Sequence, residues 1–196
     1  MAEVLSTFNL NPGNAAPDFT LPDACGNPIT RDQAAGPNGL LVVFACNHCP
    51  FVVHLASALG SFAKLIHSQG VGTVAIVSND LETYPQDGPA AIPTFASQHG
   101  WDFPYLIDAD QSVALAYGAA CTPDFFLFDS SGKLFYAGQF DDTRPRSGEA
   151  PHGGDLREAV RRMIAGESPL PRPYPSSGCN IKWKPGNQPA WWNTGS

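Results

Sequence analysis

A chain of 196 residues, 43% of them hydrophobic, suits one domain with a substantial core and some extra loop or tail. Only 15% of residues are charged and the net charge is −7, with no Lys/Arg cluster, which argues against nucleic acid or an anionic membrane as partner. No segment approaches the roughly 18 apolar residues of a membrane span, and residues 1–14 lack a charged region ahead of an apolar run, so no secretory signal is read and a cytoplasmic home is expected.

Residues 1 to about 39 are rich in Pro, Gly and Asn and read as loops around a short hairpin, Phe19–Leu21 with Pro28–Thr30. Leu40-Leu41-Val42-Val43-Phe44 is a short, continuous apolar run, a strand buried on both faces. The period then changes. Val52, Leu55, Leu59, Phe62 and Ile66 line one face of a helix that Gly70 ends. Val71 to Ser78 reads as a second buried strand, completing a right-handed βαβ unit. A loop over 79–88, a helix over Ala90–Gln98, a strand at Tyr105–Ile107 and a short helix over Gln111–Tyr117 follow. Phe125–Phe128 and Leu134–Phe140 read as a hairpin around Asp129-Ser130-Ser131-Gly132. A last helix is predicted from a capping box, Asp155 with Glu158, carrying Leu156, Val160, Met163 and Ile164 on one face up to Gly166. The order βαβ, αβα, ββα gives an α/β sandwich with a mixed sheet. Residues 1–168 form the domain, and 169–196 are an irregular, Pro- and Trp-rich tail. Trp183, Trp191 and Trp192 suggest that the tail packs on its own domain or, alternatively, on a partner.

The cysteines are Cys25, Cys46, Cys49, Cys121 and Cys179. An odd count does not suit a disulfide scaffold. Cys46 and Cys49 leave a buried strand and open a helix, where partial positive charge and free N–H groups stabilise a thiolate. Cys46 is expected to be the more exposed and to attack a substrate disulfide, with Cys49 resolving the mixed disulfide. His48 between them can stabilise the Cys46 thiolate. A stabilised thiolate favours the reduced form, so the potential is expected above the roughly −270 mV of thioredoxin. Pro50 is tolerated in the first helical turn. The other readings of a C-x-x-C pair are half a zinc site and inert buried cysteines. Zinc usually draws on a second close pair, and the remaining cysteines are single and widely spaced. Neither a metal nor any cofactor is therefore expected.

Ala16-Pro17-Asp18-Phe19-Thr20-Leu21 and Cys46-Asn47-His48-Cys49-Pro50-Phe51-Val52 resemble the redoxin branch of the thioredoxin superfamily, which includes the alkyl hydroperoxide reductase and thiol-specific antioxidant proteins. Thr122-Pro123-Asp124-Phe125-Phe126-Leu127-Phe128-Asp129 resembles that branch's next landmark. Gly138-Gln139-Phe140-Asp141-Asp142 and Gly178-Cys179-Asn180-Ile181-Lys182-Trp183-Lys184 are similar to a peroxiredoxin-like subgroup of bacterial proteins. The resemblance covers nearly the whole chain. It implies a thioredoxin-like fold, a mixed central sheet flanked by helices with a redoxin-type αβα insertion. It also implies dithiol–disulfide exchange with protein or small-molecule thiols and disulfides. Pro123 is implied to be a cis-proline facing the Cys pair, leaving the Thr122 backbone free to pair with an extended substrate.

The sequence departs from the pattern in three ways. Ala45 stands where thioredoxins carry Trp. The strand before Cys46 lacks their buried carboxylate, for which Asp124 could substitute. If Cys49 takes the peroxidatic position, Cys46 replaces the usual Thr and Pro123 falls about where the partner Arg would be, which argues against efficient peroxidase activity. Cys121, two residues before Pro123, is either a third redox thiol or metal ligand, or a small buried residue. Cys179 is either a resolving thiol or packing. Metal binding or delivery through Cys46, Cys49 and His48 or Cys121, and a weak thiol peroxidase, are the alternatives to exchange.

Overall fold

The computed structural model of the chain describes residues 3–192. In chain order the elements are β1 (Glu3–Leu5), β2 (Thr20–Pro22), β3 (Pro28–Thr30), α1 (Arg31–Ala34), β4 (Gly39–Phe44), α2 (Pro50–His67) and β5 (Val71–Val77). After a short 3₁₀ turn at Pro85–Asp87 come α3 (Ile92–His99), β6 (Tyr105–Ile107), α4 (Ser112–Tyr117), β7 (Cys121–Thr122), β8 (Asp124–Asp129), β9 (Leu134–Gly138), α5 (Gly154–Ile164) and β10 (Ser177–Asn180).

The β4 run is wholly apolar because both of its faces are covered. Leu41, Val43 and Ala45 point toward α2, α3 and α5, among Leu55, Leu59, Phe62, Phe95, Leu156 and Val160. Leu40, Val42 and Phe44 point the other way, toward Tyr117, Phe126, Phe128, Ile181 and Trp183. Period-2 alternation of a strand thus feeds two separate cores in a three-layer sandwich. On one side β4 pairs antiparallel with β8, which pairs antiparallel with β9. On its other side lies β5, with the Ala45 N–H donating to the Ile76 carbonyl at 3.0 Å. Strand β6 pairs parallel with β5, inside the α3–β6–α4 insertion. The sheet is mixed, as expected.

Three details differ from the expectations. Asp155 does not cap α5: the N-cap is Gly153, at φ +66°, and the Asp155 carboxylate accepts from Gln139 Nε2 at 2.7 Å. Glu158 instead pairs with Arg161 and Arg162. The capping box of this chain is at α1, Thr30 with Gln33. Ile164, the last residue of α5, is exposed rather than on the buried face. The tail is not wholly irregular, since it contributes β10, the middle strand of a small sheet ordered β1-β10-β7. Beyond it Ile181 and Trp183 are buried, with Trp191 and Trp192 packed against the same core.

Candidate active site

Strand β4 delivers Cys46 to the mouth of α2, and Cys49 is the N-cap of that helix with Pro50 at its first position. Both sulfurs meet Thr122. The Cys46 Sγ lies 3.3 Å from the Thr122 hydroxyl, and the Cys49 thiol donates to the Thr122 carbonyl at 3.0 Å. The Thr122–Pro123 bond is cis, as the resemblance implies. Four of the expected residues, Cys46, Cys49, Thr122 and Pro123, therefore converge, and His48 joins them.

His48 is held by a residue that sequence reasoning missed. Its Nδ1 is 2.7 Å from Asp87 Oδ2, and its ring stacks on Tyr84 with centroids 5.5 Å apart. Beside a carboxylate, Nδ1 is the nitrogen that carries the proton. Asp87 is fully buried, and it also accepts from the Asn47 N–H at 2.8 Å, the His48 N–H at 3.2 Å and Asn79 Nδ2 at 2.9 Å. One carboxylate from the 79–88 loop thus fixes the backbone between the two cysteines. An isolated Asp in a polar loop has no periodicity and no motif, so its sequence carried no signal.

Asp124 does not play that part. Its Oδ2 accepts from the Ser6 hydroxyl at 3.1 Å and the Ala120 N–H at 3.2 Å, away from the sulfurs. Burial pushes its carboxyl up to about 6. Cys121 also turns away: its Sγ donates to the Pro123 carbonyl at 3.4 Å, and burial pushes its thiol well up. Alternation along β7 explains this, because Thr122 faces the pair and its neighbour must face the opposite side. Cys179, on β10, does join the pair. Cys25 is exposed in the Asp23–Asn27 turn.

Cys46 is expected to be the more exposed of the pair, but both sulfurs are buried. Cys46 is 1% and Cys49 0% accessible. The buried sulfurs titrate together, so a thiolate is shared between them rather than held by Cys46 alone. Sharing of protons with Cys179 and with Cys46 pulls the Cys49 thiol below its ordinary range. The same sharing with Cys49, followed by burial and the nearby Asp87 carboxylate, pushes Cys46 up. Moving one proton between the two sulfurs exchanges which of them is the nucleophile.

Cys46, His48 and Asp87 each place a donor atom within 4.8 Å of the others, the arrangement closest to a metal site among the described residues. Both Asp87 oxygens already accept N–H bonds that hold the loop, so a metal would have to break them. No arginine donates to either sulfur among the described residues. Arg144 is spent on the Asp141 and Thr143 carbonyls and on Gln139.

The Redoxin family model matches residues 11–151, most of the chain. The chain belongs to the Redoxin family. Among curated redoxin relatives, the Mycobacterium tuberculosis protein Rv2521, named for the peroxiredoxins, is 32% identical over 58% of this chain and 67% of its own. The thiol-disulfide oxidoreductase ResA of Bacillus subtilis is 27% identical over 64% of this chain and 66% of its own. The crystal structure of the hypothetical protein SMc02350 from Sinorhizobium meliloti superposes with a TM-score of 0.89 at 47% identity, covering 93% of this chain and 99% of that one. More distant solved thiol–disulfide oxidoreductases share the thioredoxin-like fold.

Proposed function

We propose that Cys46 and Cys49 are the working couple of this thiol–disulfide oxidoreductase, exchanging electrons with a protein or small-molecule thiol partner. The observation that carries the reading is the meeting of both sulfurs at Thr122, at the start of a helix. Cys46 as thiolate attacks one sulfur of the substrate disulfide, and the other substrate sulfur leaves with the bonding electron pair. Cys49 then attacks the Cys46 sulfur, the S–S bond to substrate breaks, and a Cys46–Cys49 disulfide and a reduced substrate remain. Two electrons pass from the protein to the substrate, and the reverse sequence oxidises a dithiol.

Cys46 takes the outward role because it precedes the helix, whereas Cys49 caps it and is held on the Thr122 carbonyl. The Thr122 hydroxyl and the imidazole held by Asp87 are the groups that stabilise charge on Cys46 once the shared proton moves to Cys49. With both sulfurs covered, a partner reaches them only when the surrounding loop and strand part.

Cys46→Ser is expected to abolish reduction of insulin disulfides, read as turbidity, while Cys49→Ser accumulates a mixed disulfide with the substrate. Wild-type turnover by Cys46→Ser would overturn the role given to Cys46.

A further inference from the structure

Strand β10 stands where a substrate strand would have to pair. It lies against β7 in antiparallel register, Cys179 opposite Thr122 and Asn180 opposite Cys121. The Thr122 backbone, expected to be free for an extended substrate, is therefore occupied by the chain's own tail. The approach is close: a Cβ on Gly178 would sit 2.1 Å from the Thr122 carbonyl oxygen, so only glycine fits there. Strand β1 pairs on the far side of β10, with Glu3 opposite Cys179, and locks it in place.

This register puts Cys179 on the dithiol. It is 3% accessible, it shares the core that holds Cys46 and Cys49, and it lies opposite Thr122, whose carbonyl accepts from the Cys49 thiol at 3.0 Å. Cys49 thus has a thiol on each side, Cys46 within its own turn and Cys179 on the strand facing it.

We propose that Cys179 is a third redox thiol, forming with Cys49 a second internal disulfide that alternates with Cys46–Cys49. The inference rests on the exchange reading above and adds a step to it. After substrate reduction, the Cys179 thiolate attacks the Cys49 sulfur of the Cys46–Cys49 disulfide. The bond between Cys46 and Cys49 breaks as that between Cys49 and Cys179 forms, and Cys46 leaves with the electron pair. Cys179 gives up one proton and Cys46 takes up one, so the step is an isomerisation without net oxidation. Its result is a free Cys46 and an oxidising equivalent stored beneath β10, in a strand that occupies the substrate's place until the cover parts.

The test uses full-length protein oxidised with diamide, followed by alkylation and mass mapping of the peptides. Wild type is expected to yield the Cys46–Cys49 and Cys49–Cys179 linkages together. Cys46→Ser is expected still to lose two thiols internally, now as a Cys49–Cys179 crosslink, and Cys46→Ser with Cys179→Ser to form no crosslink within the chain. A folded Cys46→Ser protein that keeps all its thiols, or links Cys49 to Cys121, overturns the proposal. The wild-type map covers the case in which the variants misfold: Cys46–Cys49 as the sole linkage overturns the third-thiol role but leaves the exchange reading standing. Absence of any Cys46–Cys49 linkage defeats the exchange reading itself.

Discussion

Two buried carboxylates at the residue scale show how placement sets function. Asp87 spends its oxygens on four N–H groups and so fixes the turn that carries Cys46 to Cys49. Asp124 is buried as deeply, but its Oδ1 finds no partner. Its folded-state pKa, about 6, lies above the ordinary 3.8. The folded protein therefore binds the proton more tightly than the unfolded chain across that window. The stability this provides is complete below about pH 4 and is lost as the pH rises through 6. Asp124→Asn is expected to gain roughly 2–3 kcal/mol at pH 8 and little at pH 4, measured by urea unfolding at both values. An equal change at the two pH values would contradict the assignment. Neither aspartate's role was legible in the sequence. Asp124 drew notice because it follows Pro123, yet adjacency along the chain does not say which side of a strand a carboxylate occupies.

The elements were more legible than the contacts between them. The change from an apolar run to helical spacing at Cys46 marks β4 and α2 without any tertiary knowledge, because burial on two faces and burial on one leave different periods. Gly70 and Gly100, at φ +80° and +67°, end or follow their helices as the sequence suggests. The α5 start failed because Asp155 had a competing partner, Gln139, just past the end of β9 and 16 residues away. β10 was missed because Ser177-Gly178-Cys179-Asn180 has no strand character of its own. Its conformation is imposed by neighbours on both sides, and its glycine serves close approach. Gly178→Ala is expected to cost about 1–3 kcal/mol, since the new methyl meets backbone rather than a yielding side chain. It should also speed maleimide labelling of Cys46 and Cys49. An unchanged unfolding midpoint together with unchanged labelling would show that β10 does not hold the site closed.

For the whole molecule, the consequence is a dithiol sealed between the end of the central sheet and a small sheet in which β1 and β10, from opposite ends of the chain, join β7. Sulfur sharing in that enclosure favours a thiolate on Cys49, and hence the reduced form. The couple is expected to equilibrate with glutathione buffers at a potential less negative than about −270 mV, and a value at or below it would show that burial outweighs thiolate stabilisation. The sequence by itself determined the βαβ frame, the C-x-x-C at the helix mouth and the Thr122-Pro123 landmark, because each is written within a few consecutive residues as period or motif. Tertiary structure alone decided that Asp87 supports His48 from 39 residues away, that Thr122 meets Cys46 across 76, and that Cys179 lies opposite Thr122 in the core of the pair. Such contacts depend on which strands lie side by side and on which face each residue presents. Packing of the whole chain fixes both, and no local stretch encodes them.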